Sequence, residues 1–401
     1  MKLKLASRNA RIQPSATLAI TAKANELKAK GIDVVGFGAG EPDFDTPDHI
    51  KQAAKTALDK GQTKYTPVGG TKELKETVCA KFRRDYGLDY TPAEILISVG
   101  GKHSLFNIFM ALVEEGDEVI IPAPYWVSYP EMVAFCGGTP VCVPTKESNG
   151  FCMTPAELEA AITPRTKIFI LNSPSNPTGG MYSEEHIRAL AAVLEKHPDI
   201  WIVSDDIYEK LTYDGMRFFS IATISPAWKA RTIVCNGMSK AYSMTGWRIG
   251  FTAAPKDLTS AMDTIQGQST SNPTSIAQAA SVAGLSGDHS FLTAWVAEFD
   301  RRRRYIVERL NRIPGISCFT PKGAFYAFPN ISGLLGKKTP SGKTLTDSMG
   351  VAAWLIEEHN VAVVPGAPFG AEGFMRLSYA TSMEQITKGL DRIETAAKSL
   401  K

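Results

Sequence analysis

At 401 residues the chain is too long for one small hydrophobic core, so two domains are expected. Its 44% hydrophobic and 21% charged residues and net charge of +3 are ordinary for a soluble globular enzyme, and without a long Lys/Arg block nucleic acid is not indicated. No stretch approaches a membrane span, and the opening Met1–Arg8 lacks a hydrophobic region long enough for export, so a cytoplasmic protein is expected.

Residues 14–30 begin with Pro14-Ser15 and read as a helix with Leu18, Ala22 and Leu27 on its apolar side. A short strand at 33–37 leads into Gly38-Ala39-Gly40-Glu41-Pro42-Asp43-Phe44, either an ordinary turn or bare backbone that meets a ligand. Thr46 as N-cap and Pro47 at the first helical position open the next helix, whose stripe is Ile50, Ala53, Ala54, Ala57 and Leu58. Tyr65 lies in a Pro/Gly loop before a helix at 71–86. Apolar strands then alternate with helices: 94–99, 118–121, 140–143, 166–171, 200–204 and 232–235, with a capping box at Thr154–Glu157. This alternation predicts a mostly parallel sheet covered on both faces, in a large domain at 46–290. Beyond it come a long helix at 290–312, in which Arg301–Arg304 reads as a solvated face, the run Gly323–Phe328, and a helix at 346–359. Strands at 361–364 and 375–379 and a last helix at 383–399 complete a smaller α+β domain from 1–45 and 291–401. Residues 336–346 are the best candidate for a mobile surface loop. The six cysteines form no CxxC pair and read as reduced, mostly buried thiols. The six histidines show no i, i+4 pair, so no metal site is expected.

Candidate chemistry gathers at strand ends, where open α/β sheets bind ligands. After the strand ending at Val99, Gly101 and Lys102 open a helix and offer free amides to an anion. The motif is no Walker loop, and no GxGxxG follows the first strand, which excludes the generic dinucleotide fold. Asn176 sits in a loop stiffened by two prolines and two glycines. Asp205, at a buried strand end, reads equally as a helix N-cap or as the partner of a protonated ring nitrogen. Lys240 follows a buried strand among Met238, Tyr242, Met244 and Trp247, so desolvation favours its neutral, nucleophilic form. That is what an imine with a carbonyl cofactor such as pyridoxal phosphate requires, although most lysines are solvated surface residues. Arg376 lies within an apolar strand, and either meets a carboxylate bidentately or faces the surface.

Asn176-Pro177-Thr178-Gly179, Asp205 with Tyr208, Ser239-Lys240, Gly246-Trp247-Arg248 and Arg376-Leu377-Ser378 stand in the order of the class I aminotransferases, and the chain resembles that family over nearly its whole length. Gly40–Phe44, Tyr125–Pro130 and Gly100–Lys102 resemble the bacterial aspartate aminotransferase subgroup in particular. The resemblance implies a fold type I, pyridoxal-phosphate-dependent enzyme with a seven-stranded sheet in its large domain. It implies that Lys240 carries the cofactor and moves the substrate's Cα proton, that Asp205 keeps the ring nitrogen protonated, and that Tyr208 and Asn176 bond the ring's phenolic oxygen. Trp126 is implied to stack on the ring, and Gly101, Lys102, Ser239 and Arg248 to hold the phosphate, with Tyr65 reaching it from the second subunit of a homodimer. Arg376 is implied to clamp the substrate α-carboxylate with Asn176 and Gly40. In the subgroup a lysine at the position of Lys102, helped by hydroxyls near Ser15 and Thr17, reads the distal carboxylate of aspartate or glutamate; the alternative is that Lys102 serves the phosphate alone. Small amino acids and 2-oxo acids are therefore the expected partners. Relatives that use prephenate carry a basic residue before the Pro-Ser pair, where this chain has Gln13. Other outcomes on the same scaffold are a pyridoxal-phosphate lyase or a cofactor-binding regulator.

Overall fold

The computed structural model describes residues 3–401; Met1 and Lys2, part of the stretch read for an export signal, lie outside the described residues. The strands are β1 (Val35–Gly36), β2 (Ile95–Ser98), β3 (Glu118–Ala123), β4 (Thr139–Pro144), β5 (Thr166–Asn172), β6 (Trp201–Asp205), β7 (Thr232–Gly237), β8 (Gly250–Ala253), β9 (Tyr326–Ala327), β10 (Val361–Ala362), β11 (Val364–Pro365) and β12 (Met375–Ser378). The helices that matter for the site are α1 (Ala16–Ala29), α2 (Asp48–Asp59), α3 (Lys72–Tyr86), α4 (Gly101–Leu112) and α5 (Ser128–Cys136).

Seven strands form one sheet in the order β2-β8-β7-β6-β5-β3-β4. Only β8 runs antiparallel to its neighbours, so β2, β3, β5, β6 and β7 all end on one edge. Sheet residues alternate between two covered faces: Ile95, Ile97, Val234 and Phe251 pack into one cluster, and Leu96, Val119, Ile168, Val203 and Ile233 into another. Each such fully buried aliphatic contributes about 1.5–3 kcal/mol. With both faces dry, polar side chains are left to the strand ends, and those ends build the site.

Two small sheets complete the molecule. β1 pairs in parallel with β10, and β11-β12-β9 is antiparallel, with Arg376 of β12 opposite Val364. The apolar run expected as a single strand at 361–364 is thus split between two sheets. Among the described residues no helix is long and apolar enough to cross a membrane.

Several local expectations need correction. Leu18 is 66% exposed and Ala22 is also exposed; α1 buries Ala24, flanked by Ile20 and Leu27. Leu58 is 51% exposed, whereas Ile50, Ala54 and Ala57 form the buried stripe of α2. Thr46 does not cap α2. Its hydroxyl donates to Ser243 O at 2.6 Å and accepts from Trp247 Nε1 at 3.0 Å, so tertiary partners displace the local cap. Of the four consecutive arginines in the helix Phe291–Leu310, Arg301 and Arg304 face solvent; Arg303 is 1% exposed and Arg302 is nearly as buried, each paired with carboxylates. Residues 336–346 form a small hairpin bridged at Lys338 and Thr344, with Lys338 exchanging backbone bonds with Lys401. The capping box at Thr154–Glu157 forms as expected.

Candidate active site

One cavity of about 420 Å³ opens along the edge where the parallel strands end. At one end is an anion cradle. Gly100 precedes α4 at φ +85°, and a Cβ there would lie 2.3 Å from Arg248 Nη2, so only glycine lets the guanidinium lie against this turn. The first amides of α4, at Gly101 and Lys102, have no intrahelical acceptor and face the cavity with the dipole of the helix behind them. Ser239 adds a hydroxyl.

The floor comes from β5, β6 and β7. Asp205 ends β6, fully buried, and no helix follows it to be capped. Its Oδ2 accepts from Tyr129 of α5 at 2.5 Å, and its backbone carbonyl accepts from Asn172 Nδ2 at 3.0 Å. Burial pushes the carboxyl up to about 6, against the pull of the Tyr129 hydroxyl. Such a group becomes a full anion most readily when a cation arrives beside it.

Lys240 stands over this floor and donates to the carbonyl oxygen of Gly40. Burial lowers its ammonium to about 8, helped by the nearby positive charges of Arg376 and Arg248. A substantial neutral fraction near neutral pH follows, which is the state a nucleophilic amine needs.

Arg376 closes the side formed by the small sheets. It is buried, donates to Asn176 Oδ1 at 2.9 Å and to Gly38 O at 2.8 Å, and its Nε has no partner among the described residues. Asn176 is aimed there by its own backbone, whose amide donates to Asn172 Oδ1 at 3.0 Å. Gly179, at φ +66° beside Pro321 and Gly323, lets the loop fold back. The Tyr208 and Tyr326 hydroxyls meet at 2.7 Å, with the Arg376 guanidinium 4.6 Å from the Tyr326 ring centre. At the opposite rim Lys102 Nζ lies 5.1 Å from the Trp126 ring centre, near Ser15 and Thr17.

The family described as Aminotransferase class I and II matches residues 32–393. The chain belongs to that family. The aminotransferase is 54% identical over 391 residues to an aspartate/prephenate aminotransferase of Cereibacter sphaeroides, covering 98% of each chain. It is equally similar, 54% over 98% of each, to an aspartate aminotransferase of Geobacillus stearothermophilus. Its fold superposes on the aspartate aminotransferase of Rhizobium meliloti with a TM-score of 0.96 at 49% identity, over 100% of both chains. With the Thermus thermophilus aspartate aminotransferase, solved with maleate, the TM-score is 0.91 at 45% identity, over 98% of this chain and 100% of that one.

Of the residues expected at the site of this aminotransferase, all but Tyr65 line the cavity. Tyr65 is 91% exposed. The residue reading missed Tyr129, Asn172 and Tyr326. Tyr129 stands three residues after Trp126, and Tyr326 lies in the aromatic run Phe325–Phe328; in sequence both look like core aromatics, because the carboxylate and phenol they meet are distant in the chain.

Proposed function

We propose that this aminotransferase uses pyridoxal phosphate to move the amino group of L-aspartate or L-glutamate to a 2-oxo acid such as 2-oxoglutarate, in a ping-pong cycle. The observation that carries the reading is one cavity lined by both Arg376 and Lys102, two cations that no carboxylate pairs among the described residues. Two carboxylates of one substrate match two unpaired cations better than one carboxylate does, and maleate, named with the Thermus thermophilus relative, is itself a dicarboxylate.

The residues present fit the cofactor. The α4 N-terminus, Ser239 and Arg248 form a phosphate cradle that a Cβ at Gly100 would fill, and Asp205 offers to a ring nitrogen a buried carboxylate whose Oδ1 accepts only a long bond from the Ile207 amide at 3.4 Å. When bound, pyridoxal phosphate supplies a carbonyl that condenses with amines and a ring that accepts the electrons released at Cα. Around it, Lys240 Nζ would hold the carbonyl carbon, water leaving as that bond forms, and once displaced by the substrate amine would be free to take the Cα proton and return it. Trp126 covers one ring face, Tyr208 and Asn176 approach the phenolic oxygen, and Arg376 with its free Nε orients the α-carboxylate. Glu41, Gly40 and Leu18 also line the cavity.

We further assign residues 46–290 to the cofactor domain, and 1–45 with 291–401 to the second. Exposed Tyr65 is assigned to the phosphate cradle of a partner copy, which makes the enzyme a cytoplasmic homodimer with shared sites. Prephenate is the second reading, favoured by the names of relatives such as the Cereibacter sphaeroides enzyme. Against it, the neutral Gln13 stands where such relatives carry a basic residue; its side chain is exposed, and only its backbone N–H is held, donating to Glu131 Oε2 at 2.6 Å. The deciding experiment adds each donor alone to purified, pyridoxal-phosphate-loaded protein and follows the visible spectrum and the keto acid released. Oxaloacetate from aspartate, with 2-oxoglutarate restoring the original spectrum, is expected. A spectrum unmoved by aspartate and glutamate overturns the substrate reading.

A further inference from the structure

Tyr208 and Tyr326 are both buried, their oxygens are 2.7 Å apart, and each hydroxyl has the other as its one hydrogen-bond partner among the described residues. Two hydroxyls carry two protons, and the bond between them uses one. Burial makes an unused proton costly, so the second needs an acceptor. Both phenols line the cavity, and the acceptor has to come from there.

The surrounding charges decide which phenol donates to the other. The Arg376 guanidinium lies over the Tyr326 ring at 4.6 Å from its centre, and its charge favours release of the Tyr326 proton. Arg376 also acts on Tyr208, but there the Asp205 carboxylate opposes it. Burial pushes both phenols up, and at Tyr208 the neighbouring Tyr326 adds to the rise. Lys240 Nζ, 5.9 Å from the Tyr208 ring centre, is the remaining charged neighbour, and it is itself subject to Arg248 and Glu41. The phenol under the guanidinium charge is the better donor, which favours a bond running from Tyr326 to Tyr208.

We propose that Tyr326 is a positioning residue for amino-group transfer: its hydroxyl donates to Tyr208, and thereby leaves the Tyr208 proton aimed at the phenolic oxygen of the cofactor. The inference rests on the reading that pyridoxal phosphate occupies this cavity. A hydroxyl that already accepts a hydrogen bond is a stronger donor. A stronger donor favours the anionic phenolic oxygen, and so lowers the pH at which the bound chromophore changes colour.

Tyr326→Phe removes one oxygen and keeps the ring under Arg376. In a visible pH titration of the loaded protein, its colour-change midpoint is expected to rise by about 0.3–1 unit, the range of one cooperative neutral hydrogen bond. Tyr208→Phe should raise the midpoint further, and adding Tyr326→Phe to Tyr208→Phe should then move it by less than about 0.1 unit, because the relay has already lost its outlet. A midpoint unchanged in Tyr326→Phe overturns the proposal, as does a rise of equal size in the Tyr208→Phe background. A wild type that takes up pyridoxal phosphate without any visible band overturns the cofactor reading, whereas a titrating wild type with an unmoved Tyr326→Phe overturns only the relay.

Discussion

Replacing Lys102 by alanine separates what the two ends of the cavity do. The Lys102 ammonium makes no ion pair among the described residues and rests 5.1 Å from the Trp126 ring centre; the residue is exposed, with partial desolvation of the ammonium and then Arg248 lowering its proton affinity. A substrate carboxylate arriving there forms a partly desolvated, charge-assisted hydrogen bond, which contributes about 1.5–3 kcal/mol. Its loss corresponds to a fall of about 10- to 150-fold in kcat/KM. Losing the contact with Trp126 removes about 0.5–1 kcal/mol more, a factor of two to five. That smaller factor falls on every donor, whereas the larger one falls only on donors with a distal carboxylate. The assay is the half-reaction with donor alone, followed by the visible spectrum, because 2-oxoglutarate as acceptor is itself dicarboxylic. Lys102→Ala should slow aspartate and glutamate by the product of both factors, and alanine and phenylalanine by the smaller alone. An equal loss for all four donors, accompanied by weaker cofactor retention, would refute the argument and assign Lys102 to the phosphate.

Three further outcomes follow from the titrating groups. With Lys240 at about 8, capture of pyridoxal phosphate by cofactor-free protein should accelerate about tenfold per pH unit below that value and level off above it; a rate still climbing at pH 10 contradicts a desolvated lysine. Tyr129→Phe removes the hydroxyl that pulls Asp205 down against burial, so the acid edge of cofactor affinity should move up by about one pH unit, and an unmoved edge would show that this bond does not tune the carboxylate. Hydrogen bonds from Arg301 and then Arg302 hold Glu298 at about 2, below its ordinary value of 4.5. A carboxyl lowered in the folded state stabilises above pH 4.5 and loses that contribution as the pH falls toward 2, so Glu298→Gln should lower the melting temperature at pH 7 by about 2 °C and flatten its decline on acidification; parallel declines in the two proteins would count against the pairing.

The sheet was legible in the sequence because its strands read as short apolar runs, most of them buried on both faces, the edge strand β4 excepted. Six of them stand out in that way. The seventh, β8, escaped because Gly250–Ala253 is brief, follows directly on Arg248-Ile249, and runs antiparallel with no helix to announce it. Leu18 and Leu58 were misplaced for the opposite reason: periodicity identifies an apolar face but not whether anything covers it. Arg302 and Arg303 were misread because four arginines in a row look solvated, whereas their acceptors, Asp43 and Asp214, lie far away in the chain. The cavity residues with unusual chemistry for their position, such as a lysine or arginine in apolar surroundings, could be singled out. Their supports could not.

The loop from Gly38 to Thr46 explains why. Its backbone carbonyls hold both central cations, Gly38 O accepting from Arg376 and Gly40 O from Lys240. The loop is fixed from two sides. Arg302 grips Asp43 at 2.7 Å and lies over the Phe44 ring, while Thr245 donates to Glu41 at 2.7 Å and Ser243 and Trp247 bond Phe44 O and the Thr46 hydroxyl. A carbonyl carries no side-chain signature, so no residue pattern marks these two acceptors; only the glycines that bare the backbone do. Both bonds are also neutral-acceptor bonds to cations, weaker than the charged bonds a carboxylate would make. A substrate carboxylate can therefore outcompete Gly38 O for Arg376, while the clamped loop stays in place as the cavity wall. The same arrangement lets Lys240 leave Gly40 O for a reacting carbon at the cost of one exchangeable hydrogen bond, without moving any element of the fold.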